Sequence, residues 1–350
     1  MFVCLKAIYR WCALFILGLG LTGLMAACGV LSPYGGDRLP RVEVVLSSFA
    51  VTKPAYDVII PRFAEKWQQE HQQIVRFPTS YGPSGAQARG VMDGLPADIV
   101  HLALGFDVDR IAEAGLIDPN WSAQFPNHSV VTESVPVIVT RADNPKDITQ
   151  WSDLARPGVS FVTTDPKTSG AARWNVLALW ASVMEAGGTP DQAETFLRQA
   201  FGNVEILSRD AREATDAFFS QGQGDALINY ENEVILANLQ GDDLPYTIPD
   251  VNILIENPIA VVDKNVDRHG NREVVEAFIE FLYTPEAQTE FAKVGFRPVN
   301  PEVAAEFADQ FPMVKTLVTV GELGGWTQIQ KEFFADGALF DQIRDRGRSL

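Results

Sequence analysis

The chain has three cysteines, Cys4, Cys12 and Cys28, and none beyond residue 28. Its body therefore has no thiol for a disulfide, a thiolate metal site or a cysteine nucleophile. Positive charge is also scarce: 28 Lys and Arg stand against 45 Asp and Glu, the net charge is -17, and no basic run follows the first residues. Nucleic acid and acidic membranes are bound through contiguous Lys and Arg, so neither is an expected partner. Only four histidines occur, His71, His101, His128 and His269, none in a recognisable partner motif. His71 and His269 read as surface positions, and His101, inside a strand, as packing. The acidic clusters at 107–109, 241–243 and 336–341 lack the spaced oxygen ligands and glycine of a calcium loop and read as solvated surface. No metal and no cofactor is expected.

One long apolar run is present, and it is at the start. Lys6 and Arg10 precede a stretch from Trp11 to Ala27 that ends in small residues before Cys28. This is the layout of a secretory signal over 1–27 and is too isolated for a multi-span membrane protein. "LMAAC" resembles the lipobox of bacterial lipoproteins, with Met25 where Leu, Val or Ile is preferred, so Cys28 is the expected lipidation site and 28–40 the tether. Ordinary cleavage near Ala27, or an uncleaved anchor, stays open. Removing 1–27 takes Lys6 and Arg10 and no acid, leaving -19 on the exported part. An anion is repelled at long range by such a surface and has to be won locally.

The rest, 46% hydrophobic overall, is long enough for two domains. "VEVVLSS" at 42–48 reads as a strand, followed by a helix from Lys53 with Thr52 as cap and Pro54 in its first turn. Strands at 73–80 and 97–104 alternate with helices at 86–94 and 106–115, which predicts a mostly parallel sheet covered by helices. The strand at 135–140 reads as a crossing into another lobe, where strands at 159–164, 203–207 and 225–230 alternate with helices starting near 170, 212 and 231. The stretch 251–263 reads as two strands broken at Asn257 and Pro258, a return crossing, and the remaining helices are expected to pack back on the first lobe. Ligands bind where strands meet helix starts in open sheets.

Two such junctions carry a serine beside a small residue: Ser84-Gly85 in "SYGPSGA", and Ser169-Gly170-Ala171 in "DPKTSGAARW". The first amides of a helix have no intrahelical partner and sit at the positive end of its dipole, so together with a hydroxyl they can hold an anion. Ordinary N-caps, worth about 1 kcal/mol each, explain the serines equally well. A nucleophile elbow is incomplete, because Ala86 stands where G-x-S-x-G needs glycine. A phosphate loop lacks its glycines: residues 160–166 read "SFVTTDP". Lys167 and Arg173 read as solvated. Asp210 and Glu213 have capping-box spacing at a third helix start, beside Ala211, and Tyr230 closes the strand "DALINY".

Taken together, "SYGPSGAQARGVMDGLPADIVHLAL", "NPKDITQWSDLARPGVSFVTTDPKTSGAARWNVLALW", "GDALINYENEVILA", "AVVDKNV" and "REVVEAFIEFLYTPEAQ" resemble the bacterial sulfate-binding proteins of ABC importers, in order and spacing, from about residue 43 to 300. The resemblance implies an α/β bilobal periplasmic-binding-protein fold of type II, two mostly parallel sheets flanked by helices with a ligand cleft between lobes. Lobe I would be 41–134 and 256–350, and lobe II 135–255. It implies a periplasmic, monomeric, non-enzymatic receptor that binds sulfate, with thiosulfate as a second candidate, and delivers it to a membrane permease and its ATPase. The ligand donors it implies are the amide of Ala50, the hydroxyl of Ser84, Ser169 with the amides of Gly170 and Ala171, the amide of Ala211, and the side chain of Tyr230. Aspartate is usual in the family at position 50 and glycine is common at 171, but an amide is what is needed at both. Tyr230 departs more sharply, since the family typically has a tryptophan N–H there. The alternatives are a receptor for another oxyanion, such as molybdate or phosphonate, and a secreted serine hydrolase using Ser84 or Ser169.

Overall fold

The structure is a computed structural model that describes residues 39–347 except Asp210, Asp242 and Asp243. The expected signal, Cys28 and nearly all of the tether lie outside the described residues, as does one partner of the expected capping box, Asp210.

The described chain begins with strands β1 (Arg41–Glu43) and β2 (Leu46–Phe49), a 3-10 turn (Ala50–Thr52) and helix α1 (Lys53–His71). β3 (Ile74–Arg76), β4 (Thr79–Gly82), α2 (Ser84–Met92), β5 (Ile99–His101), α3 (Gly105–Glu113), β6 (Val130–Ser134) and β7 (Pro136–Thr140) follow. Next come β8 (Phe161–Thr164), α4 (Gly170–Glu185), α5 (Pro190–Gly202), β9 (Val204–Ser208), α6 (Ala211–Phe219), β10 (Ala226–Tyr230), α7 (Glu231–Leu239) and β11 (Tyr246–Thr247). The chain returns through β12 (Val251–Ile253) and β13 (Ile255–Val261) to α8 (Asp263–His269), α9 (Arg272–Leu282), α10 (Pro285–Lys293) and α11 (Pro301–Glu306). β14 (Thr316–Val318), α12 (Gly325–Ile329) and α13 (Leu339–Gly347) complete it.

Two five-stranded sheets define two lobes: β4-β2-β5-β13-β6 in the first and β11-β7-β10-β8-β9 in the second. Both are mixed rather than mostly parallel. The antiparallel pairs all involve β7 or β13, the strands through which the chain arrives from the other lobe. A strand entering from the opposite side runs against those laid down by local β/α units, which accounts for the difference. Each sheet has a core on both faces, as burial of both surfaces by helices requires. The first lobe places Leu46, Tyr56, Phe278 and Phe291 on one side and Val100, Leu102 and Ile111 on the other. The second places Phe161, Trp174 and Leu177 on one side and Val137, Val162 and Phe218 on the other.

Other expectations need local correction. The strand expected at 42–48 is two strands, because the amide of Val45 turns to the buried carboxylate Oδ2 of Asp98 at 2.7 Å and β1 pairs only with β3. The strand expected at 73–80 is likewise split near Pro78, which has no amide to continue a ladder. Thr52 does not cap α1; its hydroxyl donates to the carbonyl of Phe49 at 2.8 Å. Asn257 and Pro258 do not end a strand but sit in a register shift inside β13.

The closing segment packs chiefly on the second lobe, with Trp326 reaching Gly105 of the first. α9 and α10 return to the first lobe, through Phe278 and Phe291, whereas Phe333, Phe334, Phe340 and Ile343 share the second lobe's core with Trp174 and Phe161. Lys167, expected in solvent, ties this segment down: its Nζ donates to the Phe334 carbonyl and to Asp341 Oδ2, each at 3.0 Å. Asp341 is therefore an ion-pair partner rather than plain solvated surface.

Candidate functional site

A cavity of about 200 Å³ opens between the lobes. First-lobe residues reach it from the β2 turn and the start of α2, and second-lobe residues from the starts of α4 and α6 and the end of β10. Ala50, Ser84, Ser169, Gly170, Ala211 and Tyr230 all line it. Ala171 follows Gly170 as the second residue of α4. Three α-helices and one 3-10 turn thus begin at one half-open cleft. Their first amides have no partner within their own helices and their dipoles add positive potential there.

The serines do not serve as ordinary caps. Ser169 is at the N-cap of α4, 7% exposed, with extended backbone, and its hydroxyl makes no capping bond. Ser84 lies inside the first turn of α2 rather than at its cap, which is Pro83. Its hydroxyl donates to Asp107 Oδ2 at 2.6 Å and accepts the Ala103 amide at 3.1 Å. One hydroxyl has one proton, so in this arrangement the group that Ser84 can offer a ligand is its backbone N–H.

Tyr230 is 3% exposed, and its hydroxyl is buried with no hydrogen-bond partner. Burial, then the nearby carboxylates of Glu233 and Asp107, hold its pKa well above the ordinary value, so it stays a neutral donor. A buried hydroxyl without a partner is costly unless something accepts from it, and the residue that carries this one lines the cavity.

Behind the cavity wall are charges that sequence reasoning assigned to solvent. Asp107 is 4% exposed; burial raises its pKa, opposed by the Ser84 bond and by Arg173, Arg110 and Arg89. Arg173 has its guanidinium 5.0 Å from the Phe106 ring and 5.3 Å from the Phe334 ring, with Nη1 donating to Gln330 Oε1 at 3.0 Å. Burial lowers its pKa and Asp107 raises it. Asp109 accepts from Trp121 Nε1 at 3.0 Å, so the 107–109 cluster is structural. Two charged lining residues, Arg212 and Glu233, were not expected. Their only sequence signal was proximity to Ala211 and Tyr230.

The lobes meet around this space. Gly170 lies so close to the first lobe that a Cβ on it would come within 3.2 Å of the Leu104 side chain. No histidine lines the cavity. His101 is fully buried, its Nδ1 2.8 Å from the Tyr56 hydroxyl, which leaves a serine nucleophile without a histidine base. Among the described residues no group of three or more His, Cys, Asp or Glu could hold a metal ion.

Comparison with known proteins then fixes the family. The profile of the bacterial extracellular solute-binding proteins matches residues 45–297. The chain belongs to this family. It is therefore a binding protein that works outside the cytoplasm, and its bilobal fold is the type II periplasmic form. A sulfate-binding protein of Synechococcus elongatus is 53% identical over 91% of this binding protein and 92% of the relative. One from a Synechocystis species is 49% identical over 92% and 94%. The solved structure of the sulfate-binding protein SubI from Mycobacterium tuberculosis H37Rv is 39% identical, covers 84% of this chain and 99% of its own, and superposes with a TM-score of 0.76.

Proposed function

We propose that this protein is the sulfate receptor of an ABC importer, with thiosulfate as a second ligand, and that it passes the anion to a membrane permease driven by a separate ATPase. The observation that carries the reading is the convergence of four helical N-termini and the unpartnered Tyr230 hydroxyl on one cavity between the lobes. The amides of Ala50, Ser84, Gly170, Ala171 and Ala211 and the hydroxyls of Ser169 and Tyr230 are its donors. The lobes correspond to 41–134 with 256 onward, and 135–255, the segment beyond β14 being laid on the second.

Such a set suits an anion that carries no proton. Sulfate is a dianion at neutral pH and can accept from every side, whereas phosphate keeps at least one proton and needs an acceptor. Where the ligand meets only the donors named above and not the Glu233 carboxylate that also lines the cavity, that O–H is left unpaired, at a cost of about 1–3 kcal/mol. Donor–acceptor matching then separates sulfate from phosphate. Titration calorimetry with sulfate, thiosulfate, molybdate and phosphate tests this. Saturable heat with sulfate and none with phosphate is expected; no heat with sulfate defeats the reading.

A further inference from the structure

Tyr230 is followed immediately by Glu231, a carboxylate with no solvent exposure at the first position of α7. Both its oxygens are gripped by Arg297, whose Nε donates to Oε2 at 2.6 Å and whose Nη2 donates to Oε1 at 2.8 Å. Arg297 Nη2 also donates to the Pro312 carbonyl at 3.0 Å. The two partners belong to different lobes. Arg297 follows α10, next to Phe296 in the first-lobe core, and exchanges backbone hydrogen bonds with Glu133 on β6, at 2.9 and 3.2 Å.

Three more contacts hold the same turn. The Glu231 amide donates to the carbonyl of Val135, the single residue between β6 and β7 where the chain changes lobe, at 2.9 Å. Ser134 Oγ donates to Asn232 Oδ1 at 3.0 Å. Gly295, at φ +94°, approaches so closely that a Cβ would come within 2.8 Å of Asn232 Cα. Tyr230 itself pairs with Pro136, the first residue past the crossing. The cavity's one unpartnered tyrosine hydroxyl therefore hangs from a point fixed to both lobes.

We propose that the Glu231–Arg297 pair is a positioning device that anchors Tyr230 at the pivot of the two lobes, so that its hydroxyl keeps one place relative to the first-lobe wall as the cleft opens and shuts. The inference rests on Tyr230 being a ligand donor. A two-pronged guanidinium–carboxylate contact fixes orientation as well as distance, which a lysine in the same place does not reproduce. On this account Tyr230 is present before the ligand arrives, and the other second-lobe donors swing toward it.

Double-mutant cycles test it, with sulfate affinity and thermal unfolding of the ligand-free protein both measured. Glu231→Gln and Arg297→Lys, each made alone, are expected to weaken sulfate binding about tenfold, while in a Tyr230→Phe background each changes affinity by less than about twofold. Arg297→Lys keeps the buried charge paired and provides a folded variant if Glu231→Gln is too unstable. Equal losses with and without the Tyr230 hydroxyl, or lowered melting temperature with unchanged affinity, overturn the proposal. A wild-type protein with no saturable sulfate binding removes the sulfate reading itself and this inference with it, a result distinct from additive cycles on a protein that binds.

Discussion

The indole Nε1 of Trp174, on α4 of the second lobe, donates to the carbonyl oxygen of Ala103, beyond β5 of the first, at 3.2 Å. The same carbonyl accepts from Asn257 Nδ2 at 3.3 Å, from the strand that returns from the second lobe. Trp174 also packs edge-on against Trp326, with ring centroids 4.9 Å apart. The two lobes thus share a direct hydrogen bond one turn along the helix whose first amides lie at the cavity.

Trp174→Phe keeps most of the packing and removes that donor. Because Asn257 still satisfies the Ala103 carbonyl, the expected cost is that of one neutral hydrogen bond, about 1 kcal/mol, and it falls on the closed state. Sulfate should dissociate roughly fivefold faster with little change in association, in line with the usual seat of affinity differences in the off-rate. Stopped-flow kinetics read through ligand-dependent fluorescence of the remaining tryptophans measure both rates. An unchanged off-rate shows that the bond contributes nothing to closure.

Ser169→Ala should separate ligand binding from helix capping. The hydroxyl makes no capping bond to its own helix, so the ligand-free protein should lose less than the roughly 1 kcal/mol that removal of a working N-cap costs. Loss of one hydrogen bond to a charged ligand should weaken sulfate by about 1.5–3 kcal/mol. Calorimetry beside thermal melts checks both halves. Ser84→Ala should behave in the opposite way, chiefly lowering stability, because it strips the buried Asp107 of a donor and the Ala103 amide of an acceptor.

Those contrasts mark what was legible in the sequence. Helix starts within two residues of Ser84, Gly170 and Ala211 follow from local pattern, and the same local pattern brings their amides to a strand end. What Ser84 does with its proton is not local: Asp107 is 23 residues away. Lys167 and Arg173 looked solvated because their partners, Asp341 and Gln330, lie 174 and 157 residues further along. An amphipathic closing helix such as α13 advertises an apolar face without saying which lobe has the matching core, and that was decided by Phe161 and Trp174. The mixed character of the sheets was hidden for a related reason, since direction depends on which lobe a strand arrives from.

Asp107 should give stability a pH dependence of unusual sign for a carboxylate. Burial, the largest influence, raises its pKa in the fold above the ordinary 3.8. The folded chain then holds the proton more tightly than the unfolded one, so this group's contribution is complete below the unfolded pKa and is lost as pH rises through the folded value. Asp107→Asn removes the titration while keeping an oxygen that can accept from Ser84. The stability difference between wild type and variant, from chemical denaturation at intervals from pH 4 to 8, should therefore shift in favour of the variant as pH rises. A constant difference contradicts the burial argument.

His101 should act in the other direction. It is fully buried on β5, edge-on to Phe49 and Tyr56, and its ring nitrogens face the Tyr56 and Thr132 hydroxyls at 2.8 and 3.5 Å. Burial lowers its pKa from 6.5 to about 3. The unfolded chain therefore binds a proton below pH 6.5 that the folded chain refuses until near pH 3, so the stability supplied by a neutral imidazole is present above 6.5 and is lost on acidification. The slope from one such group approaches about 1.4 kcal/mol per pH unit in the middle of that window. His101→Asn replaces the ring with an amide that does not titrate. It should cost core packing at every pH yet lose less stability than wild type between pH 6 and 4. If denaturation curves of the two proteins run parallel through that range, His101 is protonated in the fold as readily as outside it, and the packed, neutral role assigned to it is wrong.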